Sequence, residues 1–425
     1  MRILIVGSGG REHAIAWSLK QSSHEVDLMV APGNAGTAAI ATNISIDAAN
    51  IPGIVGVARD RAVDLTVVGP EIPLSLGLVD ALQSERFRVV GPSRAAARLE
   101  SSKVFAKLLM EKNNVPTASA KIFDDPVAAR RYCMEAELPL VVKADGLAAG
   151  KGVTVCDTRS EALDAITACM ETRLYGDAGA RILIEECLQG REISVFAFVD
   201  GENLSTLVPA CDYKRLHDQD MGPNTGGMGS YSPPEFWSRE LAVEVRDRIM
   251  KPVIEGLASD GHRYQGILYA GLMLTDDGPK VLEFNCRLGD PEAQVLLPRL
   301  KSSFIDVLMA VAEGRLDDCP LEWRDSASVG VVMVSGGYPG NYSIGYPISG
   351  LEDNASGALC FHSGTSLLTD RGRDGGVVTS GGRVLTIVGQ GETLADARRR
   401  AYDKVASISF CGSFYRSDIG QIRHQ

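Results

Sequence analysis

Residues 1 to about 100 alternate short apolar runs with helical stretches, and this alternation limits the fold more than any other feature of the chain. Ile3–Val6 is followed by a helix near Glu12–Lys20, then by Val26–Val30, Leu65–Val68 and Arg88–Val90. Strands separated by helices predict a parallel sheet covered on both faces. Polar turns follow the strands: Gly7-Ser-Gly-Gly-Arg-Glu12, Ala31-Pro-Gly-Asn-Ala-Gly-Thr37 and Gly69-Pro-Glu71. Ligands of such sheets sit at the carboxyl ends of the strands, where these turns lie.

Beyond this unit, Ser101-Ser-Lys-Val-Phe-Ala-Lys107 begins a helix with a serine cap. A second αβ unit is predicted from about 115 to 185, with strands Leu140–Ala144, Val153–Val155 and Arg181–Glu185. A mixed region follows to about 325, with strands near Glu192–Val199, Leu204–Leu207, Gly266–Leu274 and Lys280–Asn285. Ser238–Ala258 has the 3.6-residue apolar period of a helix. The last hundred residues, with strands Ser328–Val334 and Gly382–Val388 and a helix at Leu394–Ser407, read as a small α+β domain.

A chain of 425 residues with 45% hydrophobic content calls for two to four globular domains. The net charge of −11, without a basic patch, argues against a nucleic-acid partner. Nine cysteines without a CxxC pair fit reduced cytosolic thiols better than disulfides or a zinc site. The chain opens directly on a strand and contains no run of 18 apolar residues, so neither a signal peptide nor a membrane span is expected.

The densest chemistry lies in Val281-Leu-Glu-Phe-Asn-Cys-Arg-Leu-Gly-Asp-Pro-Glu292. Strand residues at i, i+2 and i+4 share a face, which here carries Glu283, Asn285 and Arg287, while Leu282, Phe284 and Cys286 face an apolar interior. Hard oxygen ligands suit Mg²⁺ bridged to nucleotide phosphates. A guanidinium two residues on can hold an organic acid by two parallel hydrogen bonds. A polar edge on a half-exposed strand explains the same pattern.

Gly7-x-Gly-x-x-Glu12 is a broken dinucleotide fingerprint, because Glu12 replaces the third glycine and no acidic residue follows Val30. The loop can still present N–H groups and Arg11 to a phosphate, or serve as a tight turn. Lys143-Ala-Asp-Gly-Leu-Ala-Ala-Gly-Lys-Gly152 ends an apolar strand in a small-residue loop. An anion beside Lys143 is expected there, although a turn with a snorkelling lysine remains open. Ile182-Leu-Ile-Glu-Glu-Cys-Leu188 ends a strand in a hinge whose backbone can pair with an adenine edge, and Glu192 can take ribose hydroxyls.

The order of Lys103, the Lys143 loop, Glu185-Glu186-x-Leu188 and Glu283-x-Asn285 resembles the ATP-grasp superfamily. The loops at Gly7 and Ala31, Asp212-Tyr-Lys-Arg215, Gly222-Pro-Asn-Thr-Gly-Gly-Met-Gly229 and Glu283–Glu292 are similar, within it, to the glycinamide ribonucleotide synthetase (phosphoribosylamine–glycine ligase) family. The likeness spans essentially the whole chain. His217-Asp-Gln-Asp-Met221 departs from the usual Asp-Gly-Asp of that loop, and the chain stops soon after Arg416–Gly420.

The resemblance implies an α/β and α+β multidomain fold. Its parts are an N-terminal parallel-sheet (pre-ATP-grasp) phosphoribosylamine-binding domain over 1–100, a two-part ATP-grasp core over 101–325 with a lid at about 117–190, and a C-terminal α+β domain over 326–425. It also implies a carbon–nitrogen ligase of purine biosynthesis. ATP, glycine and 5-phosphoribosylamine would give ADP, phosphate and glycinamide ribonucleotide through glycyl phosphate. Mg²⁺ or Mn²⁺ would be held by Glu283 and Asn285.

ATP would meet Lys103, Lys143, Asp145, Gly146, Gly150, Gly152, Glu185, Glu186, Leu188 and Glu192. Arg287, with Gly289 and Asp290, would orient glycine. Gly9, Gly10, Arg11, Glu12, Asn34, Gly36, Thr37 and Glu71 would take the phosphoribosyl group, closed over by Asp212, Lys214 and Arg215. Lys143, Arg287 and Asp212 would be catalytic. A stand-alone cytoplasmic enzyme is expected, a monomer or weak dimer, with transient contact to the upstream amidotransferase and none to nucleic acid or membrane. Another ATP-grasp ligase, such as a bicarbonate-activating carboxylase, and a nicotinamide-dependent oxidoreductase are the competing readings.

Overall fold

The computed structural model describes residues 1–148, 151–352, 357–370 and 373–421. The first hundred residues form a parallel sheet in the order Thr42–Asn43, Asp27–Pro32, Arg2–Gly7, Leu65–Val68, Val89–Val90. Alternate residues of the central strand enter different cores: Leu4 and Val6 pack with Leu268 and Met250, whereas Ile3 and Ile5 pack with Leu19 and Phe304. The strand order reverses between Arg2–Gly7 and Leu65–Val68, and a crevice opens where their exit loops diverge.

The largest sheet has eight strands. Their order is Gly278–Asn285, Gln265–Thr275, Arg191–Asp200, Val208–Asp212, Gly229–Ser232, Ala327–Val334, Arg383–Gly391, Leu359–His362, each pair antiparallel. Three strands of the C-terminal region thus continue the core sheet through Gly229–Ser232. Helix Leu394–Ser407 covers them by burying Ala397, Ala401 and Val405.

A separate four-stranded antiparallel sheet, in the order Ala120–Phe123, Ile182–Glu186, Leu140–Ala144, Val153–Cys156, has its own core under helices Pro126–Glu135 and Arg159–Ile166. It meets the large sheet at a bridge between Thr117 and Val281, where Thr117 Oγ1 donates to Val281 O at 2.8 Å. Among the described residues, no helix is long and apolar enough to cross a membrane.

Four local expectations are changed or made specific. The strand expected at Leu204–Leu207 lies at Val208–Asp212. Asp200 Oδ1 accepts the N–H groups of Glu202 and Asn203, and Ser205 Oγ takes the N–H of Phe198, so this stretch closes a loop before the ladder begins. The serine cap is Ser102, whose Oγ accepts from Phe105 N at 3.1 Å, while Ser101 ends a preceding short helix, Arg98–Ser101. The helix over Ser238–Ala258 contains a π turn, Arg246–Met250, just before Pro252, which has no N–H for regular α pairing.

The fourth change concerns Leu282. Gly271 pairs with Glu283 but Leu272 with Val281, so Leu282 is an extra residue in its strand. This bulge flips the alternation. Val281, Phe284 and Cys286 enter the core, while Leu282 stays half-buried.

The C-terminal segment is clamped to the hairpin after Asp212. Arg416, 0% exposed, places its guanidinium on Asp418 (2.7 Å), Asp220 (2.9 Å) and the carbonyl of Arg215 (2.9 Å). Gln219 N donates to Asp418 Oδ2, and Ser417 N to Asp218 Oδ1. Removing one partner of a buried ion pair costs about 3–5 kcal/mol. Arg416→Met should lower the unfolding free energy by that amount in urea titration; a loss below about 1 kcal/mol would show that the clamp behaves as a surface pair.

Candidate active site

The edge strand of the large sheet, Gly278–Asn285, faces the small sheet across a cleft, and lysines line the far wall. Lys143, from strand Leu140–Ala144, lies 2.6 Å from Glu185 Oε2 and donates to the carbonyl of Leu282 at 3.0 Å. Lys107 meets the other oxygen of Glu185 at 3.0 Å and donates to Thr117 Oγ1 and Ala118 O. The anion expected beside Lys143 is therefore supplied by the protein itself.

Lys103, at the start of helix Lys103–Lys112, reaches Gly146 O at 3.5 Å. Burial draws the pKa of both Lys103 and Lys107 down, with nearby carboxylates opposing it. Lys107 is a site residue the sequence reading missed, although its spacing of four from Lys103 puts both on one helix face.

Burial tends to raise the pKa of Glu283, but Lys103, Lys214, Lys143 and Arg287 together hold it below the ordinary value. Its carboxylate makes no hydrogen bond or ion pair among the described residues. Asn285 Oδ1 accepts one bond, from Arg287 Nη2 at 3.0 Å, and an amide oxygen has a second lone pair. An uncommitted carboxylate and an amide oxygen on one strand fit a hard divalent cation. Among the described residues, no group of three or more His, Cys, Asp or Glu could hold a metal alone. Phosphate oxygens and water would have to complete its shell, as is usual for Mg²⁺.

Arg287, past the strand end, is more committed than expected. Its guanidinium meets Glu100 Oε1 at 2.7 Å and Glu71 Oε2 at 3.3 Å, and donates to Asn285 Oδ1 and Leu288 O. Four of its five N–H groups are used. A free two-pronged clamp is therefore not present; an acid must use the remaining N–H or displace a carboxylate. Glu100, which also accepts the N–H of Cys286 at 2.7 Å, was missed because the contact spans 186 positions.

Several residues assigned to nucleotide also have structural bonds of their own. Asp145 accepts the N–H of Val104 and the hydroxyl of Ser102, and pairs with Arg181 at 2.6 Å. Gly146 packs on Ala178 and Gly152 O accepts from Ala144 N, while Gly150 lies outside the described residues. At the hinge, Glu186 Oε1 takes the N–H of Ser119 at 2.7 Å, and Leu188 is half-buried. Glu192 pairs with Lys214, which also meets Asp212 at 3.2 Å. Burial disfavours the Lys214 charge, yet Asp212 and Glu192 outweigh it and raise its pKa. Arg215 donates to Gly222 O across its hairpin.

In the N-terminal crevice, Glu12 fills the switch point. A Cβ on Gly69 would stand 2.1 Å from Glu12 Oε1 and one on Gly7, whose φ is +128°, 2.6 Å from the same carboxyl group, so glycine is required at both. Glu12 accepts from Gly9 N at 2.5 Å and pairs with Arg11 Nε at 2.6 Å. Asn34 Oδ1 caps Gly36 N and Thr37 N, and its Nδ2 donates to Ser8 O and His362 O. Thr37 Oγ1 is bonded to Asn34 O and Asn43 Oδ1. The polar side chains of Asn34 and Thr37 thus shape the loop instead of projecting from it.

This crevice abuts the core cleft. Arg11 donates to Leu288 O at 3.1 Å, and its N–H faces Asp290 Oδ2 at 3.5 Å. Gln294 and Arg383 hold Asp290, and Gln294 backs Gly10. Burial opposes ionisation of Asp290, but Arg383 and Arg11 keep its pKa low.

The family model for the phosphoribosylglycinamide synthetase ATP-grasp (A) domain matches residues 101–293. With a lysine-lined cleft between two antiparallel sheets, this makes the chain an ATP-grasp protein. The N-domain and C-domain models of the same family match residues 1–100 and 328–422. The chain belongs to the phosphoribosylglycinamide synthetase family.

The phosphoribosylamine–glycine ligase of Caldanaerobacter subterraneus subsp. tengcongensis is 45% identical over 419 residues, covering 99% of each chain. The trifunctional purine biosynthetic protein adenosine-3 of Gallus gallus is 48% identical over 424 residues, 99% of this chain but 42% of that one. The crystal structure of phosphoribosylamine–glycine ligase from Thermotoga maritima, 36% identical, matches with a TM-score of 0.85 over 98% of this chain and 100% of that one.

Glu185 neutralises two buried lysines at once, and its loss should cost about 3–5 kcal/mol. Glu185→Ala should show this in chemical denaturation. A change below about 1 kcal/mol would mean that water or another group solvates Lys107 and Lys143.

Proposed function

We propose that this chain joins glycine to 5-phosphoribosylamine with cleavage of ATP, giving glycinamide ribonucleotide, ADP and phosphate. The observation that carries this reading is the convergence of Lys103, Lys143 and Lys214 on the unpaired carboxylate of Glu283, beside Arg287 and the N-terminal crevice. Membership of the phosphoribosylglycinamide synthetase family supports the choice of substrates.

A carboxylate is a poor electrophile, so the γ-phosphoryl group passes first to glycine and makes glycyl phosphate. Lys103 and Lys143 hold the α and β phosphates, and catalysis of this step is mostly positioning and charge neutralisation. Glu283 and Asn285 would hold Mg²⁺ or Mn²⁺, which would supply further neutralisation of the phosphate charge. The hinge backbone at Glu186–Leu188 takes the adenine edge and Glu192 the ribose.

Arg287 orients the glycine carboxylate with its remaining N–H, aided by the Gly289–Asp290 turn. The phosphoribosyl group lies against Gly9, Gly10 and Arg11, whose Nη2 has no hydrogen-bond partner among the described residues, with Glu71 nearby and Asp212, Lys214 and Arg215 opposite. The four-stranded unit, roughly 117–190, acts as the lid, since it has its own core and a narrow junction with the large sheet. Its closure excludes water from two hydrolysable species. Nine free thiols suit a reducing cytoplasm. The same lability of the amine favours direct handover from the amidotransferase that makes it.

Glycine-dependent ADP formation, measured with and without freshly made phosphoribosylamine, tests the reading; release that ignores either substrate would overturn it. Glu283→Ala should abolish ligation with an unchanged circular dichroism spectrum, and near-full turnover would remove it from the metal site. Lys143→Met should raise the ATP requirement and cut turnover by roughly 10²-fold. An unaltered ATP dependence would contradict its role.

A further inference from the structure

Besides Glu283, one buried carboxylate near the cleft makes no ion pair among the described residues. Glu292 opens the short helix Glu292–Leu296 and is 3% exposed. Its Oε1 accepts from Ser194 Oγ at 3.4 Å, and Ser194 shares a 2.8 Å hydrogen bond with the hydroxyl of Tyr269. Its Oε2 lies over Gly289, where an added Cβ would stand 2.4 Å away. Any larger residue at 289 would expel the carboxylate. Among the described residues Glu292 forms no ion pair.

The other carboxylates nearby are occupied. Glu185 sits between two lysines, Asp212 meets Lys214, Glu71 and Glu100 meet Arg287, and Asp290 meets Arg383. Glu283 belongs to the proposed metal site. The helix that Glu292 opens packs on helix Gly10–Lys20, and Arg287 lies near enough to act on the Glu292 charge. That packing lies at the boundary between the glycine pocket and the crevice for the amine.

We propose that Glu292 accepts the proton released when the ribosyl amine attacks glycyl phosphate. The inference rests on the ligase reading above. The nitrogen lone pair forms the new C–N bond, and the C–O bond to phosphate breaks with its electron pair. Phosphate leaves, and one proton passes from nitrogen to the Glu292 carboxylate. The Tyr269–Ser194 chain fixes Oε1 by donation, so Glu292 keeps one orientation through the transfer.

Burial, with the Asp212 carboxylate adding to it, pushes the pKa of Glu292 up to about 7, against Lys214 and Arg287. Such a value suits a general base working near neutrality. The remaining groups on adjacent elements do not compete. Arg11 is paired with Glu12, and burial keeps His13 neutral with its pKa drawn down to about 3. Burial raises the pKa of Tyr269 and Tyr231.

Because the working form is the anion, wild-type turnover should fall tenfold per pH unit below about 7. Glu292→Gln should lose roughly 10²-fold or more and become flat from about pH 6 to 8, with KM for ATP and glycine within about twofold. Glu292→Asp should recover part of the rate together with an acid limb. In the reverse direction, starting from glycinamide ribonucleotide, ADP and phosphate, the wild type needs the protonated acid, and its rate should rise as pH falls through 7.

An acid limb retained in Glu292→Gln, or a turnover loss below about threefold, would overturn the proposal. If that variant does not fold, wild-type rates falling in both directions below pH 7 would overturn it equally. Failure of the wild type to make any glycine-dependent product would instead overturn the ligase reading.

Discussion

The Glu185 carboxylate, shared between Lys107 and Lys143, is the contact on which the cleft depends. It lets two buried ammonium groups, one from a helix and one from a strand, stand side by side where each would otherwise lack a counter-charge. Lys143 then reaches across to the carbonyl of Leu282 and ties the small sheet to the edge of the large one, one residue from Glu283. Lys107 does the same through Thr117, whose hydroxyl donates to Val281 O. The bulge at Leu282 belongs to this arrangement, because it brings that carbonyl and the Glu283 side chain to the cleft while Val281 and Phe284 stay in the core. A regular strand would have sent one of these groups inward.

The cleft therefore holds its charges in a deliberate imbalance. Glu185, Glu192, Asp212, Glu71 and Glu100 each neutralise a basic partner within the protein. Among the described residues Glu283 makes no hydrogen bond or ion pair, although four cations hold its pKa below the ordinary value. A divalent ion placed there would feel those same cations as repulsion. A polyphosphate entering with the ion would remove that conflict, since its negative charge would offset the lysines. Metal and nucleotide are thus favoured as one ligand rather than two, which is the behaviour of Mg²⁺ sites that keep few protein ligands.

Much of this was readable in the sequence because it is local. Strand–helix alternation and period-two patterning locate the parallel sheet, Leu140–Ala144 and the Glu283–Asn285 strip, and short-range spacing is what such patterns encode. The features that escaped it are long-range or depend on parity. Glu100 reaches Cys286 across 186 positions, and nothing near Glu100 marks it. One extra residue at Leu282 reverses the inside and outside of its strand without altering the composition. Asn34 and Asp145 were assigned to ligands because polar residues in glycine loops suggest binding, and the sequence did not show that each also takes backbone N–H groups at a helix start. Capping by Asn and Asp is the competing use of the same side chains.

The regions proposed for the two substrates share walls, and this would bear on the order of events. Arg11 leaves the N-terminal crevice to donate to Leu288 O, one residue past Arg287, and Gly10 rests on Gln294, four residues past Asp290. An acid activated beside Arg287 would stand a short distance from an amine whose phosphoribosyl group is held by the opposite wall. The cis Asp290–Pro291 segment lies between them, held on one side by Arg383 and on the other by the helix start at Gly9–Arg11. Because the N-terminal sheet and the core touch through these buried polar contacts, shifting one wall would disturb both pockets. Under the proposed reading, an intermediate as labile as an acyl phosphate would be well served by such a geometry, because the acid and the amine would be held against walls that already touch.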